Sequence, residues 1–269
     1  MTTTEPNGAE SSTSLQTTGV AVHASPNLLQ GVAQATNQLL TTGDFSTAIN
    51  QALATLGQVT GVDRVYIFEI HPHPETGEPA LSQRFEWARE TVSAEIDNPQ
   101  LQNLPYVAYG MSQYYEALLA GQSCSGLVRE LSPLERQLFE PQGIVSILVV
   151  PIPVNGKVWG LIGFDDCHCE RRWSNDESAV LMTMAATVGS CIAHRQTENA
   201  LRQSQLRLEK IAANVPGMIF QFLQRPDGSR SVLYASSGCR EVYELEPEEI
   251  QVDFQMLSEL THPDDRNAF

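Results

Sequence analysis

Gly143-Ile-Val-Ser-Ile-Leu-Val-Val-Pro-Ile152, then Asn155-Gly156, then Val158-Trp-Gly-Leu-Ile-Gly-Phe164 is the stretch that decides the fold class. The first run is almost continuously apolar, the mark of a strand buried on both faces and central in its sheet. Asn-Gly is the pair that a two-residue type I′ turn requires, because both positions take positive φ. The third run must therefore return antiparallel to the first.

Working upstream, Leu28, Leu29, Val32, Thr36, Leu39 and Leu40 recur at helical spacing and predict a helix ending near Gly43. Asp44 is a candidate N-cap for a second helix that buries Phe45, Ile49, Leu53 and Leu56. Val65–Ile70 and Leu81–Trp87 read as a hairpin across turn-forming residues. Ala88–Gly110 has no clean period, and its prolines and asparagines predict a long covering loop. Met111–Ala120 reads as a short helix, and Ser132-Pro-Leu-Glu135 has the form of a capping box with Pro at the first helical position. Ser174-Asn-Asp-Glu177 is a second capping box, opening a long helix whose apolar positions thin out after Ile192. Met218–Leu223 and Ser231–Ala235 form a further hairpin around Arg225-Pro-Asp-Gly-Ser229. The expected class is α+β, with a central antiparallel sheet flanked by helices.

The chain has 269 residues, 42% of them apolar and 18% charged, which suits more than one globular module and confines disorder to local segments. Residues 1–26 are rich in Thr, Ser and Gly and carry few large apolar side chains, so they are expected to be a disordered tail. A net charge of −16 repels phosphate backbones and anionic lipid, which argues against nucleic acid and membrane surfaces as partners. With no apolar run of spanning length and no signal-peptide pattern at the start, the expectation is a cytoplasmic protein. The five scattered cysteines suit reduced thiols.

Three segments, Ile96–Tyr106, Ser146–Ile152 and Trp159–Asp166 continuing to Ser174, together with the order of elements, resemble the GAF sensor domains of bacterial, and especially cyanobacterial, multi-domain histidine kinases. The resemblance covers residues 27–195, with 196–210 as a signalling-helix linker. Residues 211–269, through Ile211–Phe220, Tyr234-Ala-Ser-Ser237 and Leu260-Thr-His-Pro-Asp-Asp-Arg266, look like the opening of a truncated PAS domain. The resemblance implies a sensory input module of a two-component phosphorelay that binds a small molecule or senses redox state. It also implies transmission through a homodimer formed by the exit helix. No enzyme is expected from this chain, because the ATP-holding motifs of the kinase are not in it, and His194 precedes Arg195 rather than an acidic residue.

Some GAF domains carry a bilin on a Cys-His pair in the helix before the central strand; here Leu134-Glu135 occupies that place, and bilin attachment is argued against. No cofactor is predicted. Trp87, Tyr106, Tyr109, Tyr114, Tyr115 and Trp159 are the candidate ligand-binding residues, since aromatic side chains suit a flat ligand, although the same pattern serves core packing. Cys167-His-Cys169 lacks the second pair that a structural zinc site needs, so no metal is expected. Cys124, Cys167 and Cys169 are possible redox thiols, the basis of an alternative reading as a thiol-dependent reductase of the free methionine sulfoxide type; a ligand-free interaction module is the other alternative.

Overall fold

The computed structural model describes residues 26–252 together with Leu260 and His262. The tail expected over residues 1–26 lies almost wholly outside that range, as does most of the Leu260–Arg266 segment. The chain divides into two compact units, with the boundary between Ile192 and Ala193.

At the centre of the first unit are β4 (Ser146–Val154) and β5 (Lys157–Asp166), joined by Asn155 and Gly156 at φ 51° and 76°. These are the positive angles that the turn chemistry demands. The hairpin β1 (Arg64–Pro72) and β2 (Pro79–Ala88) pairs with β5, and the short β3 (Cys124–Leu127) pairs with β4. The result is a five-stranded antiparallel sheet in the order β2-β1-β5-β4-β3.

One face of this sheet carries Val65, Ile67, Leu148, Val150, Ile152, Ile162 and Phe164, all buried. The helices α1 (Pro26–Thr41), α2 (Phe45–Thr60) and the first part of α5 (Asn175–Asn214) account for the other buried apolar residues of this layer. Asp44 caps α2, its Oδ1 accepting the Thr47 N–H at 2.8 Å, and Gly61 closes that helix in the left-handed region. At the start of α5, Ser174 and Glu177 exchange capping-box hydrogen bonds of 3.0 and 3.2 Å. Arg171 ties the layer together, donating to the Thr60 carbonyl and to Glu177 at 2.6 Å each while lying over the Trp173 ring. Leu181, Met184 and Val188, which helical spacing would equally place on a dimer seam, are fully buried in this unit and are not available for one.

The opposite face is roofed by the segment after β2. Two short 3-10 turns, Pro99–Leu101 and Tyr106–Tyr109, precede α3 (Ser112–Leu119) and α4 (Pro133–Phe139). The Ser132–Glu135 capping box forms as the residue types require.

In the second unit, β6 (Phe220–Gln224) and β7 (Arg230–Ala235) form a two-stranded antiparallel sheet, followed by α6 (Cys239–Tyr243) and α7 (Pro247–Val252). Val232, Ala235, Cys239 and Ile250 make its small core, while Phe220, Phe222, Leu223 and Leu233 stay exposed.

Candidate functional site

Between the roof and the sheet lies a cavity of about 80 Å³, several times the roughly 10–15 Å³ that a single water occupies. Strand alternation builds its floor. Arg64, Tyr66 and Phe68 project from β1, Ile147 and Val149 from β4, and Leu161 from β5. On β2 the phase changes: Phe68 faces Gln83 but Ile67 faces Phe85, so Arg84 is the extra residue of a β-bulge. The bulge puts Gln83 and Glu86, three apart in sequence, on the cavity side together. Leu101, Leu104, Met111, Leu118, Phe139 and Ile144 supply an apolar ceiling.

The candidate aromatics divide. Tyr106, Tyr114 and Tyr115 line the cavity, and the rings of Tyr106 and Tyr115 stack with centroids 3.9 Å apart. Trp87, Tyr109 and Trp159 are not among the lining residues. Trp87 lies on the other face of β2, its ring against Gly57 of α2, and Trp159 is the half-buried residue left out of register between Ile152 and Pro153. Arg64, Tyr66, Phe68, Gln83 and Glu86 were missed as site residues. Alternation along Arg64-x-Tyr66-x-Phe68 was a usable signal for the first three, whereas the bulge hid the other two.

One end of the cavity is polar. Glu86 Oε2 accepts the backbone N–H groups of Glu95 and Ile96 at 2.7 Å each, anchoring the roof loop to β2. Burial pushes the Glu86 carboxyl up, while those two N–H groups and Arg64 pull it down, with a net rise. Arg64 donates to the Gln142 carbonyl. Behind the lining, Tyr66 donates its hydroxyl to Asp165 Oδ1 at 3.0 Å. Its ring crosses Gly163, where a Cβ would come within 2.3 Å of it, so glycine is needed for that close approach. Burial pushes the fully buried Asp165 carboxyl up to about 7.

The thiols sit apart in character. Cys124 and Cys167 are half-buried and pack against the apolar cluster around the cavity, and Cys169 is exposed. Burial raises Cys124, and it raises Cys167 to about 11, which suppresses the reactive thiolate at neutral pH. His168 Nδ1 and the Cys167 N–H engage Asp63 Oδ2 at 2.9 and 2.7 Å, and Arg89 lies 3.2 Å from the other oxygen. Among the described residues no group of three or more His, Cys, Asp or Glu side chains is placed to hold a metal ion.

The sequence model of the GAF domain matches residues 44–192. The methanogenesis regulatory histidine kinase FilI of Methanothrix harundinacea is 40% identical over 198 residues, covering 74% of this chain and 22% of that protein. The circadian input-output histidine kinase CikA of Synechococcus elongatus is 22% identical over 193 residues, 66% of this chain and 25% of its own. The chain thus spans about a quarter of the length of these curated relatives. Among solved structures, the phycocyanobilin-bound GAF domain from a cyanobacterial phytochrome aligns with a TM-score of 0.53 at 19% identity, covering 65% of this chain and 98% of that one. The chromophore-binding domain of an unusual bacteriophytochrome from R. palustris aligns with a TM-score of 0.51 at 14% identity, covering 63% and 61%. At these identities the two structures establish the fold alone. No helix among the described residues is long and apolar enough to cross a membrane.

Proposed function

The chain belongs to the GAF domain family, and from that premise we propose that it is a sensory input module of a two-component histidine kinase, binding a small molecule between the sheet and the roof loop. The observation that carries this reading is the apolar cavity with one polar end, lined by the stacked Tyr106–Tyr115 pair. The kinase relatives support the signalling context. Transmission runs through α5, where Leu201, Leu208 and Ile211 are exposed at spacing suited to a parallel helix pair. The second unit we read as the opening of a PAS domain.

Covalent bilin attachment is not part of the proposal. Leu134, in the position of the attaching cysteine, carries no nucleophile. The raised Cys124 and Cys167 favour a binding role over the thiol-reductase alternative.

The test uses the full chain and N-phenyl-1-naphthylamine, a neutral apolar dye whose fluorescence rises on burial. Saturable binding of one dye per chain is expected, and Leu118→Trp, which fills the cavity from the roof, abolishes it while the circular dichroism spectrum is retained. No saturable binding, or equal binding by the variant, contradicts the reading.

A further inference from the structure

The polar end of the cavity holds buried groups that the protein itself leaves unpartnered. Gln83 is 3% exposed and lines the cavity, yet its side-chain oxygen has no hydrogen-bond partner. Glu86 uses Oε2 twice on the roof-loop backbone and leaves the buried Oε1 without a partner. Such groups are costly to bury unless something satisfies them. The Gln83 amide can present either end, but an ionised Glu86 can only accept.

At this end two carboxylates outnumber one guanidinium. Arg64 is the cation lining it; its guanidinium donates one N–H to the Gln142 carbonyl and attracts both Glu86 and Asp165, while its buried Nε is left without a hydrogen-bond partner. Glu95 adds a further carboxylate to the lining and repels Glu86. A ligand carboxylate placed here could accept from Arg64 Nε but would meet two glutamates against that one arginine, whose charge Glu86 and Asp165 already attract, in a setting where desolvation magnifies each charge. Apart from Gln142, the remaining walls are aromatic and aliphatic, with the flat Tyr106–Tyr115 pair among them.

Resting on the ligand-binding reading above, we propose that this cavity selects a flat apolar molecule bearing a hydrogen-bond-donating cationic head, an ammonium or amidinium group, and rejects the corresponding carboxylate. The head donates to Glu86 Oε1 and Gln83 while the ring system lies under the roof. A charge-assisted hydrogen bond formed out of water contributes more than a neutral one, so the cation gains most from this end.

A matched set of probes tests the head group alone: 1-naphthylmethylammonium, 1-naphthylmethanol and 1-naphthoate, each displacing N-phenyl-1-naphthylamine from the full chain at neutral pH. The ammonium is expected to bind about tenfold or more tighter than the alcohol, with the carboxylate weakest. Glu86→Gln should cut the ammonium's advantage over the alcohol to about twofold or less. Gln83→Met, which leaves the loop anchors of Glu86 in place, should weaken the ammonium several-fold and keeps the test open if Glu86→Gln does not fold. Carboxylate binding equal to or tighter than the ammonium overturns the proposal, as does an ammonium advantage that survives in a folded variant of each kind. If the dye binds but none of the three displaces it, the head-group proposal fails and the pocket stands. If the dye itself does not bind, the pocket reading falls first.

Discussion

Replacing Asp165 by Asn should remove a pH dependence that the fold builds into its centre. Asp165 is fully buried on β5, and the groups around it are Tyr66 and Arg64 on β1, Glu86 on β2 and neighbouring Asp166. Its folded value of about 7 stands above its ordinary 3.8, so the folded chain binds the proton more tightly than the unfolded one. Stability from this group is therefore fully present below about pH 4 and falls as pH rises toward 7, levelling off above. Integrated between pH 5 and pH 8, the shift corresponds to roughly 2–3 kcal/mol of lost stability. Asn keeps the shape and an acceptor for the Tyr66 hydroxyl but does not titrate. Urea unfolding of wild type and Asp165→Asn at pH 5 and pH 8, followed by circular dichroism, isolates this contribution as the change in their difference, since other titrating groups are common to both. The variant should gain about 2–3 kcal/mol relative to wild type on going from pH 5 to pH 8. An unchanged difference, or a variant that loses ground at pH 8, would mean that Asp165 is ionised in the folded chain and held so by Arg64.

Gly163→Ala puts a methyl group within 2.3 Å of the Tyr66 ring. The displaced hydroxyl leaves Asp165, and a loss of roughly 1–3 kcal/mol in denaturant unfolding is expected. Leu201→Asp with Leu208→Asp should convert a concentration-dependent dimer to monomer in sedimentation velocity without altering the melting of the first unit; a wild type that is monomeric at high concentration would remove the helix-pair mechanism. Co-expression with phycocyanobilin biosynthesis should give no covalent zinc-fluorescent band on a denaturing gel, and such a band would show that one of the chain's cysteines, none of which stands at position 134, takes the chromophore.

The parts of the fold legible in the sequence are those governed by local chemistry. Asn155-Gly156, Ser132-Pro-Leu-Glu135 and Asp44 each satisfy a backbone requirement within a few residues, so type and spacing suffice. What stayed hidden depends on pairing at a distance. The strand Cys124-Ser-Gly-Leu127 is too short to show alternation and exists through its register with Ser146–Val149. Gln83 and Glu86 look like opposite faces of β2 until the bulge at Arg84, defined only against Ile67 and Phe68, brings them together. Aromatic composition singled out Tyr106, Tyr114 and Tyr115, which line the cavity, but could not give the partition that sends Trp87 to the helix side. Helical spacing likewise could not say whether Leu181, Met184 and Val188 face the body of the domain or a second helix; burial assigns them to the former.

Methyl NMR of the full chain titrated with N-phenyl-1-naphthylamine tests most directly whether the space between sheet and roof is the ligand site. Shifts are expected at Leu101, Leu118, Val149 and Leu161, which line the cavity, with little change at Val150, Ile162 and Leu181 on the helix side. Shifts centred on the helix-side methyls, or on Leu201 and Leu208 of α5 with the cavity methyls unmoved, would contradict the account.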